Sequence, residues 1–203
     1  MTEMIEKSYA KVNIFLKISD KRDNYHELVS RFVRVHNQIY NLIKDYKKVE
    51  NFFKQYSVKI DKHIPEFAGL GGGSSNAATF LLMVNKYCEL NLSKDEMCKI
   101  AQKVGADVPF FIYEYDSANV TGIGEVVEKF DEEILDIETI TPKIKCNTGE
   151  IFTSFRNDFY KQVSKEEAQK FLSMKSIDIL KNLSISEAND LYEPAIQNYP
   201  LLK

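Results

Sequence analysis

The sequence predicts an α+β fold, and three observations support this. Residues 9–18 alternate between apolar and polar side chains, which is typical of a half-buried strand. A glycine cluster at residues 69–73 stands directly before a run of apolar residues at helical spacing. Capping boxes at residues 93–96 and 164–167 indicate two further helix starts. With 203 residues, of which 44% are hydrophobic, the chain is long enough for one large domain or two small ones.

The composition excludes several classes of protein. A net charge of -3 leaves no overall basic excess for a nucleic-acid backbone or a membrane surface. The apolar run at residues 77–84 is far shorter than the ~18 residues of a membrane-spanning helix. Residues 1–7 are polar, unlike a secretory signal. Three cysteines without metal-ligand spacing indicate neither a disulfide framework nor a zinc site. We therefore expect a cytoplasmic protein without nucleic-acid or membrane partners.

The first third of the chain predicts a β-hairpin. Turn residues at 21–24 separate the alternating segment 9–18 from a second strand-like run that begins at Tyr25 and ends near Val35. In the first strand, Lys11 and Asn13 share a face. The two predicted faces carry Ala10, Val12, Ile14, Leu16 and Ile18 and, opposite them, Tyr9, Lys11, Asn13, Phe15 and Lys17.

A glycine loop is the strongest chemical signal. Four of the eight glycines, Gly69, Gly71, Gly72 and Gly73, fall within five residues, after a predicted helix over residues 39–53 and a predicted strand over 58–64. Ser74, Ser75 and Asn76 follow as cap-type residues. Free backbone N–H groups at a helix start favour an anion, so the loop predicts a phosphate site. The pattern is neither a Walker A motif nor a dinucleotide-binding motif. A turn without a ligand remains the alternative, although one or two glycines would suffice for it.

An acidic residue follows the second predicted helix. That helix runs from the Ser93 capping box to Gly105, and Asp107 then lies before an apolar segment that we expect to start a strand. On position alone, Asp107 also fits a cap or turn residue. Two glycines, Gly122 and Gly124, predict the turn of a second hairpin.

The last third begins with a segment, 148–155, rich in β-branched and aromatic residues. A helix capped at Ser164 follows it. These changes predict a domain boundary near residue 140, which divides the chain into domains 1–140 and 141–203.

Four motifs together resemble one enzyme family. They are Ala-Lys-Val-Asn at 10–13, Asn-Tyr-His at 24–26, the loop Gly-Leu-Gly-Gly-Gly-Ser-Ser-Asn at 69–76, and Gly-Ala-Asp-Val-Pro at 105–109. The set resembles the 4-diphosphocytidyl-2-C-methyl-D-erythritol kinase family of the GHMP small-molecule kinases. The loop alone would indicate only the superfamily, whereas the combination indicates this family.

The resemblance implies a fold and an activity. The family has an N-terminal half like domain 2 of ribosomal protein S5, a ferredoxin-like C-terminal half and an active site in the cleft between them. It implies phosphoryl transfer from ATP, with Mg²⁺, to the 2-hydroxyl of 4-diphosphocytidyl-2-C-methyl-D-erythritol, a step of non-mevalonate isoprenoid (terpenoid) synthesis. The expected partner is this small cytidyl-diphosphate substrate, and we expect a monomer or weak homodimer. The sequence does not identify the magnesium ligands.

The resemblance also implies site residues. Asp107 matches the catalytic base and Lys11 its neighbour near the reacting hydroxyl and the γ-phosphate. His26 matches the residue that meets the cytosine edge, Tyr25 lies on the cytidine side, and Phe152 has the spacing of the ring stacked on cytosine. The implied ATP-phosphate residues are Gly69, Gly71, Gly72, Gly73, Ser74 and Ser75. The implied substrate residues are Asn13, Tyr25, His26, Thr148 and Phe152.

Three features depart from the family pattern. Glu66 and Phe67 stand where the family has a smaller pair that ends in glycine. We therefore expect the nucleotide pocket to differ in shape from that of the family. A strand-rich segment is nearly absent near residues 35–38, and a third glycine-rich motif is absent near the C-terminus. We therefore expect the natural chain to contain further segments internally and at its C-terminus. An intact mass of 23.5 kDa for the purified protein would contradict this expectation.

Two alternatives stay open at this point. One is another GHMP kinase that acts on a different small alcohol. The other is a binding module that kept the fold without catalysis, which the absent third motif favours. ADP release in the presence of the cytidyl substrate distinguishes all three hypotheses.

Overall fold

The structure, a computed structural model, describes residues 6–22, 25–35 and 63–203. It describes no side chains at 21–22, 25–26 and 29–35. The helix predicted over residues 39–53 lies outside the described residues, as does nearly all of the strand predicted over 58–64.

Four antiparallel strands form one sheet in the order β1-β2-β3-β4. They are β1 (Ala10–Arg22), β2 (Tyr25–Val35), β3 (Ser117–Gly122) and β4 (Val126–Lys129). Both predicted hairpins, β1–β2 and β3–β4, are confirmed.

An irregularity in β1 changes which side chains share a face. Asn13 and Phe15 pair with consecutive residues of β2, so Ile14 is an extra residue in the register. An extra residue reverses the alternation of the side chains that follow it. Lys11, Asn13 and Leu16 therefore line one cavity, and the prediction that Leu16 lies opposite Lys11 is wrong.

Helix α1 (Gly72–Tyr87) begins inside the glycine loop. Gly71 occupies the N-cap position, so Ser74, Ser75 and Asn76 lie within the helix and the prediction that they cap it is wrong. The left-handed conformation of Gly71, with φ 67°, turns the loop directly into the helix, and the described first turn has no side-chain cap.

Two helices follow α1, one where the sequence predicts a helix and one where it predicts a strand. Helix α2 (Lys94–Ala101) starts at the predicted Ser93 capping box and ends four residues before Gly105. Helix α3 (Val108–Tyr113) replaces the strand expected after Asp107. Proline at the first helical positions favours a helix start, because its fixed φ suits the first turn and its missing N–H is not needed there. The strand prediction is therefore wrong.

Helices make up the regular structure of the last third. They are α4 (Thr148–Ser154), a π-helix (Phe155–Phe159), α5 (Lys165–Ser173), α6 (Ser176–Asn182), α7 (Ile185–Ala188), α8 (Tyr192–Asn198) and a 3₁₀ turn (Pro200–Leu202). Asn147 caps α4 by accepting the N–H groups of Gly149 and Glu150, and Ser164 caps α5 as predicted. The described residues 130–147 form neither helix nor strand, and the domain boundary near residue 140 stays a prediction.

Two hydrophobic clusters place helices on both faces of the sheet. One cluster joins β1, β2 and β3 to α1, α2 and α3, with Ile18, Ala78 and Phe110 at its buried centre. The other joins Ile14 and Phe15 of β1 to α5, α6 and α7. This mixed arrangement confirms the α+β class. Among the described residues, the helices are too short or too polar to cross a membrane.

Candidate active site

Lys11 lies at the centre of the predicted catalytic residues. It projects from β1, and only 7% of its side chain is exposed. Its ammonium group donates a hydrogen bond to Oδ1 of Asn13 at 2.7 Å and lies 3.5 Å from Oδ2 of Asp107. The structure thus joins Asp107 to Lys11 and Asn13, which the sequence placed together on one strand but far from Asp107.

Asp107 reaches Lys11 from the start of helix α3. It occupies the N-cap position, but within the described structure its side chain makes no capping bond. A third of the side chain, 33%, is exposed. The alternative that Asp107 serves as a helix cap is therefore not realised, and its carboxylate remains accessible to a ligand beside Lys11.

The glycine loop is held against Lys11 by its backbone. The Lys11 N–H donates a hydrogen bond to the Leu70 carbonyl at 3.0 Å. A Cβ at Gly71 would lie 3.1 Å from the Phe111 ring and 3.2 Å from Cγ of Lys11. Since Gly71 is also left-handed, only glycine fits this contact. The loop and the lysine are thereby fixed relative to each other.

The start of α1 suits a phosphate group. The first N–H groups of a helix have no partner within it, and they attract anions together with the helix dipole. Helix α1 has no acidic residue in its described first turn, and Gly73 is exposed there. Ser75 differs from its neighbours because it is buried and its Oγ accepts the Tyr9 N–H at 2.9 Å. Its hydroxyl oxygen is thus turned toward the sheet.

A cavity of about 560 Å³ is lined by Lys11, Asn13 and Asp107 and by residues of helix α4. Thr148 and Phe152, both predicted to bind substrate, line it from helix α4. From the glycine loop, Gly69 and Leu70 reach the cavity. One space thus joins the two predicted catalytic residues to three of the predicted substrate residues, Asn13, Thr148 and Phe152.

Sequence reasoning did not assign several lining residues to the site. They are chiefly apolar: Ile140, Ile144, Cys146, Leu191 and Tyr192. Burial raises the pKa of the Cys146 thiol, which favours its protonated form. No spacing or motif signals these residues, because distant segments bring them together.

Two predicted substrate residues are described only by their backbones. Tyr25 pairs with Arg22 and His26 with Lys21, at the end of the hairpin opposite to Ala10 and Val35. Their side chains lie outside the described residues, and their roles stay predictions.

The described residues contain no group of three or more acidic, histidine or cysteine side chains that could hold a metal. Magnesium needs fewer protein ligands, because it keeps several waters and binds one or two carboxylates together with substrate phosphates. The Asp107 carboxylate, in the cavity that Gly69 and Leu70 also line, fits that requirement.

Comparisons with known proteins agree with this geometry. Residues 33–115 match the family described as GHMP kinases N terminal domain. The chain is 45% identical to the 4-diphosphocytidyl-2-C-methyl-D-erythritol kinase of Sulfurimonas denitrificans, over 100% of this chain and 91% of that protein. The chain belongs to this kinase family. A kinase of the same name from Campylobacter jejuni is 33% identical over 97% of this chain and 91% of its own length.

A solved structure shows the same fold. A crystal structure of 4-(cytidine 5'-diphospho)-2C-methyl-D-erythritol kinase has a TM-score of 0.64 and 24% identity, covering 97% of this chain and 79% of that one. The alignment with the Sulfurimonas kinase runs over 241 residues, although this chain has 203. The relative therefore carries residues within the aligned region that this member of the kinase family lacks.

Proposed function

We propose that this chain transfers the γ-phosphoryl group of ATP to the 2-hydroxyl of 4-diphosphocytidyl-2-C-methyl-D-erythritol, with Lys11 and Asp107 as its catalytic residues. The observation that carries the proposal is the 3.5 Å separation of Lys11 Nζ and Asp107 Oδ2 within the cavity that Phe152 also lines. Membership of the kinase family supports the reaction, and the geometry supports the two roles.

Asp107 acts as the base for the acceptor hydroxyl. Its partly exposed carboxylate accepts the hydroxyl proton as the acceptor oxygen bonds to the γ-phosphorus and the bond to the β-phosphate oxygen breaks. The proton passes to Oδ of Asp107, and ADP leaves with the electrons of the broken bond. Because an alcohol is a very weak acid, this transfer accompanies bond formation rather than preceding it.

Lys11 stabilises the negative charge that develops on the phosphoryl oxygens. Its ammonium group is buried, so its charge acts at low dielectric, and its bond to Asn13 restrains its position. Such preorganisation lowers the barrier because no group has to reorient as the charge develops. We propose Asn13 as the residue that orients both Lys11 and the acceptor.

The glycine loop, through Gly69, Gly71, Gly72, Gly73, Ser74 and Ser75, is proposed to hold the phosphates of ATP. Gly72, Gly73 and Ser74 offer the N–H groups of the first turn of α1. Ser75 is proposed to contribute less to phosphate binding than the other loop residues, since its Oγ already accepts the Tyr9 N–H. Mg²⁺, when bound, would neutralise the β- and γ-oxygens.

We also propose the wall of α4, with Thr148 and Phe152, as the cytidine subsite, which Tyr25 and His26 complete. The chain is proposed to act in the cytoplasm as a monomer or weak homodimer.

ADP release with the cytidyl substrate tests the function. We expect ADP to form only when ATP, Mg²⁺ and 4-diphosphocytidyl-2-C-methyl-D-erythritol are all present. ADP formation with other small alcohols instead would indicate a different GHMP kinase. Binding of the cytidyl substrate without ADP formation would indicate a binding module.

A further inference from the structure

Phe67 has a backbone conformation that its side chain does not favour. It is not a glycine, yet its φ is 59°, in the left-handed region that L-residues rarely adopt. Its ring is also 57% exposed, so burial of the ring does not offset the strain. Strained residues cluster at active sites and ligand sites, so this conformation motivates a search for a functional role.

The ring of Phe67 lies at the rim of the cavity that contains Lys11 and Asp107. Its backbone is tied to a second segment that lines the cavity, because the Cys146 N–H donates a hydrogen bond to the Phe67 carbonyl at 3.3 Å. The Lys145 ammonium group lies 5.8 Å from the centroid of the ring. Cys146 stands two residues before Thr148, where helix α4 begins. Phe67 thus lies beside the wall proposed to receive cytidine.

We propose that Phe67 contacts the nucleoside part of the diphosphocytidyl substrate and helps to set the affinity of the kinase for it. This inference rests on the proposed function. Two rings from distant segments, Phe67 and Phe152, line the same cavity, and an exposed aromatic face offers a surface on which a base or ribose can stack. Gly69, which is proposed for ATP, also lines this cavity, but the bond from the Cys146 N–H joins Phe67 to the wall of Thr148 and Phe152, and this favours the acceptor over ATP.

Three substitutions separate the ring from the backbone strain. Phe67→Ala removes the ring and keeps a strained residue, Phe67→Gly removes both, and Phe67→Tyr keeps a ring. Loss of a stacking contact reduces affinity by about five- to a hundredfold. We therefore expect KM for the cytidyl substrate to rise at least about fivefold in the alanine and glycine variants. The tyrosine variant should stay close to wild type, and KM for ATP should change little in all three.

Thermal unfolding distinguishes a substrate contact of Phe67 from a role of this residue in stabilising the fold. Glycine relieves the strained φ but increases the conformational entropy of the unfolded chain, and the two effects oppose each other. The thermal unfolding midpoint of Phe67→Gly should therefore lie within about 3 °C of that of the wild type. Glu89→Gly is a matched control, because Glu89 also has a positive φ, 50°, and is exposed at the end of α1. It should leave both KM values unchanged.

Equilibrium binding of cytidine diphosphate tests the inference without catalysis. An inactive wild type that binds this ligand, with weaker binding by Phe67→Ala, would refute the proposed function and leave the Phe67 contact supported. An active wild type whose Phe67→Ala variant keeps both the KM and the cytidine diphosphate affinity would overturn the inference alone. A rise in KM for ATP only would also overturn it, because the ring would then contact the other substrate.

Discussion

The ammonium group of Lys17 and the carboxylate of Asp190 lie 2.6 Å apart, although 173 positions separate the two residues. The other oxygen of Asp190 accepts the Ile18 N–H at 2.9 Å, and the Asp190 N–H donates to the Leu16 carbonyl at 3.0 Å. These bonds fasten the chain before helix α8 to strand β1. Leu191, next to this attachment, lines the cavity that contains Lys11 and Asp107 and is proposed to receive the acceptor substrate. The pair therefore also positions part of the wall of this acceptor cavity.

Replacing Asp190 with alanine should destabilise the fold strongly. The side chains of Lys17 and Asp190 are 8% and 14% exposed, so the variant leaves a nearly buried ammonium group without its carboxylate. Breaking a buried pair in this way costs about 3 to 5 kcal/mol, which urea unfolding would measure. The control is Glu6→Ala, which breaks an exposed pair with Lys86 and should leave the unfolding midpoint nearly unchanged. An equal loss of unfolding free energy in the two variants would show that the buried Asp190 pair stabilises the fold no more than an exposed pair does.

Asp107→Asn should lower kcat by ~10² or more, because the amide cannot accept the hydroxyl proton. KM for ATP should change little, since Asp107 lies at the acceptor cavity. Steady-state kinetics with both substrates varied would measure this split. Asp178→Asn, an exposed carboxylate in α6, is the control and should behave as wild type. Parallel loss of ATP affinity and turnover would instead indicate that Asp107 holds the magnesium of ATP or has a structural role.

Gly124→Ala should impair catalysis through the residue next to Asp107. A Cβ at Gly124 would lie 2.7 Å from the Ala106 carbonyl oxygen, and backbone atoms cannot yield without moving Asp107. Because misplacement of a catalytic group by about 1 Å can cost 10²-fold, we expect kcat to fall at least about tenfold. KM for ATP should be retained.

Gly122→Ala is the matched control for this turn. Gly122 also has a positive φ, 70° against 121° for Gly124, so both substitutions introduce backbone strain. The three atoms nearest to the added Cβ would belong to the side-chain carboxylate of Glu125 and not to the backbone next to Asp107. This variant should lose stability in thermal unfolding while keeping kcat. A similar fall in kcat for both variants would show that strain in the turn, and not the contact with Ala106, is responsible.

His26→Ala should reduce discrimination between bases. Stacking is tolerant of the base, whereas hydrogen bonds distinguish the amino group and N3 of cytosine from the carbonyl and N–H of uracil. We expect the wild type to prefer the cytidine substrate over its uridine analogue by at least ~10² in kcat/KM. The variant should lose more of this ratio than of kcat. Turnover of both analogues within a factor of about three by the wild type would refute the assignment.

The capping box of α2 should contribute stability that depends on pH. The backbone N–H and hydroxyl of Ser93 donate to the Glu96 carboxylate and hold its pKa below the ordinary value of 4.5. A lowered pKa means that the contribution is present above 4.5 and is lost as pH falls through the lowered value. The difference in unfolding midpoint between wild type and Glu96→Gln should therefore shrink in acid. A constant difference from pH 7 to pH 3 would contradict this.

The sequence by itself determined the elements that depend on neighbouring residues. The two hairpins, the helix after the glycine loop and the start of α2 at Ser93 were predicted from alternation, helical spacing and capping chemistry. Lys11, Asn13 and Asp107 were identified from motifs of the kinase family. In each case the signal lies within a few residues of the chain, because backbone hydrogen bonds and side-chain caps act over that distance.

Tertiary structure alone decided how these elements meet. The extra residue Ile14 turns Leu16 toward the cavity, and the helical start at Val108 places Asp107 beside Lys11. The strained φ of Phe67 and its bond to Cys146 likewise join segments far apart in sequence. Burial in the shared core overrides weak local preferences, and the partner of each side chain depends on packing between distant segments. No local pattern carries that information.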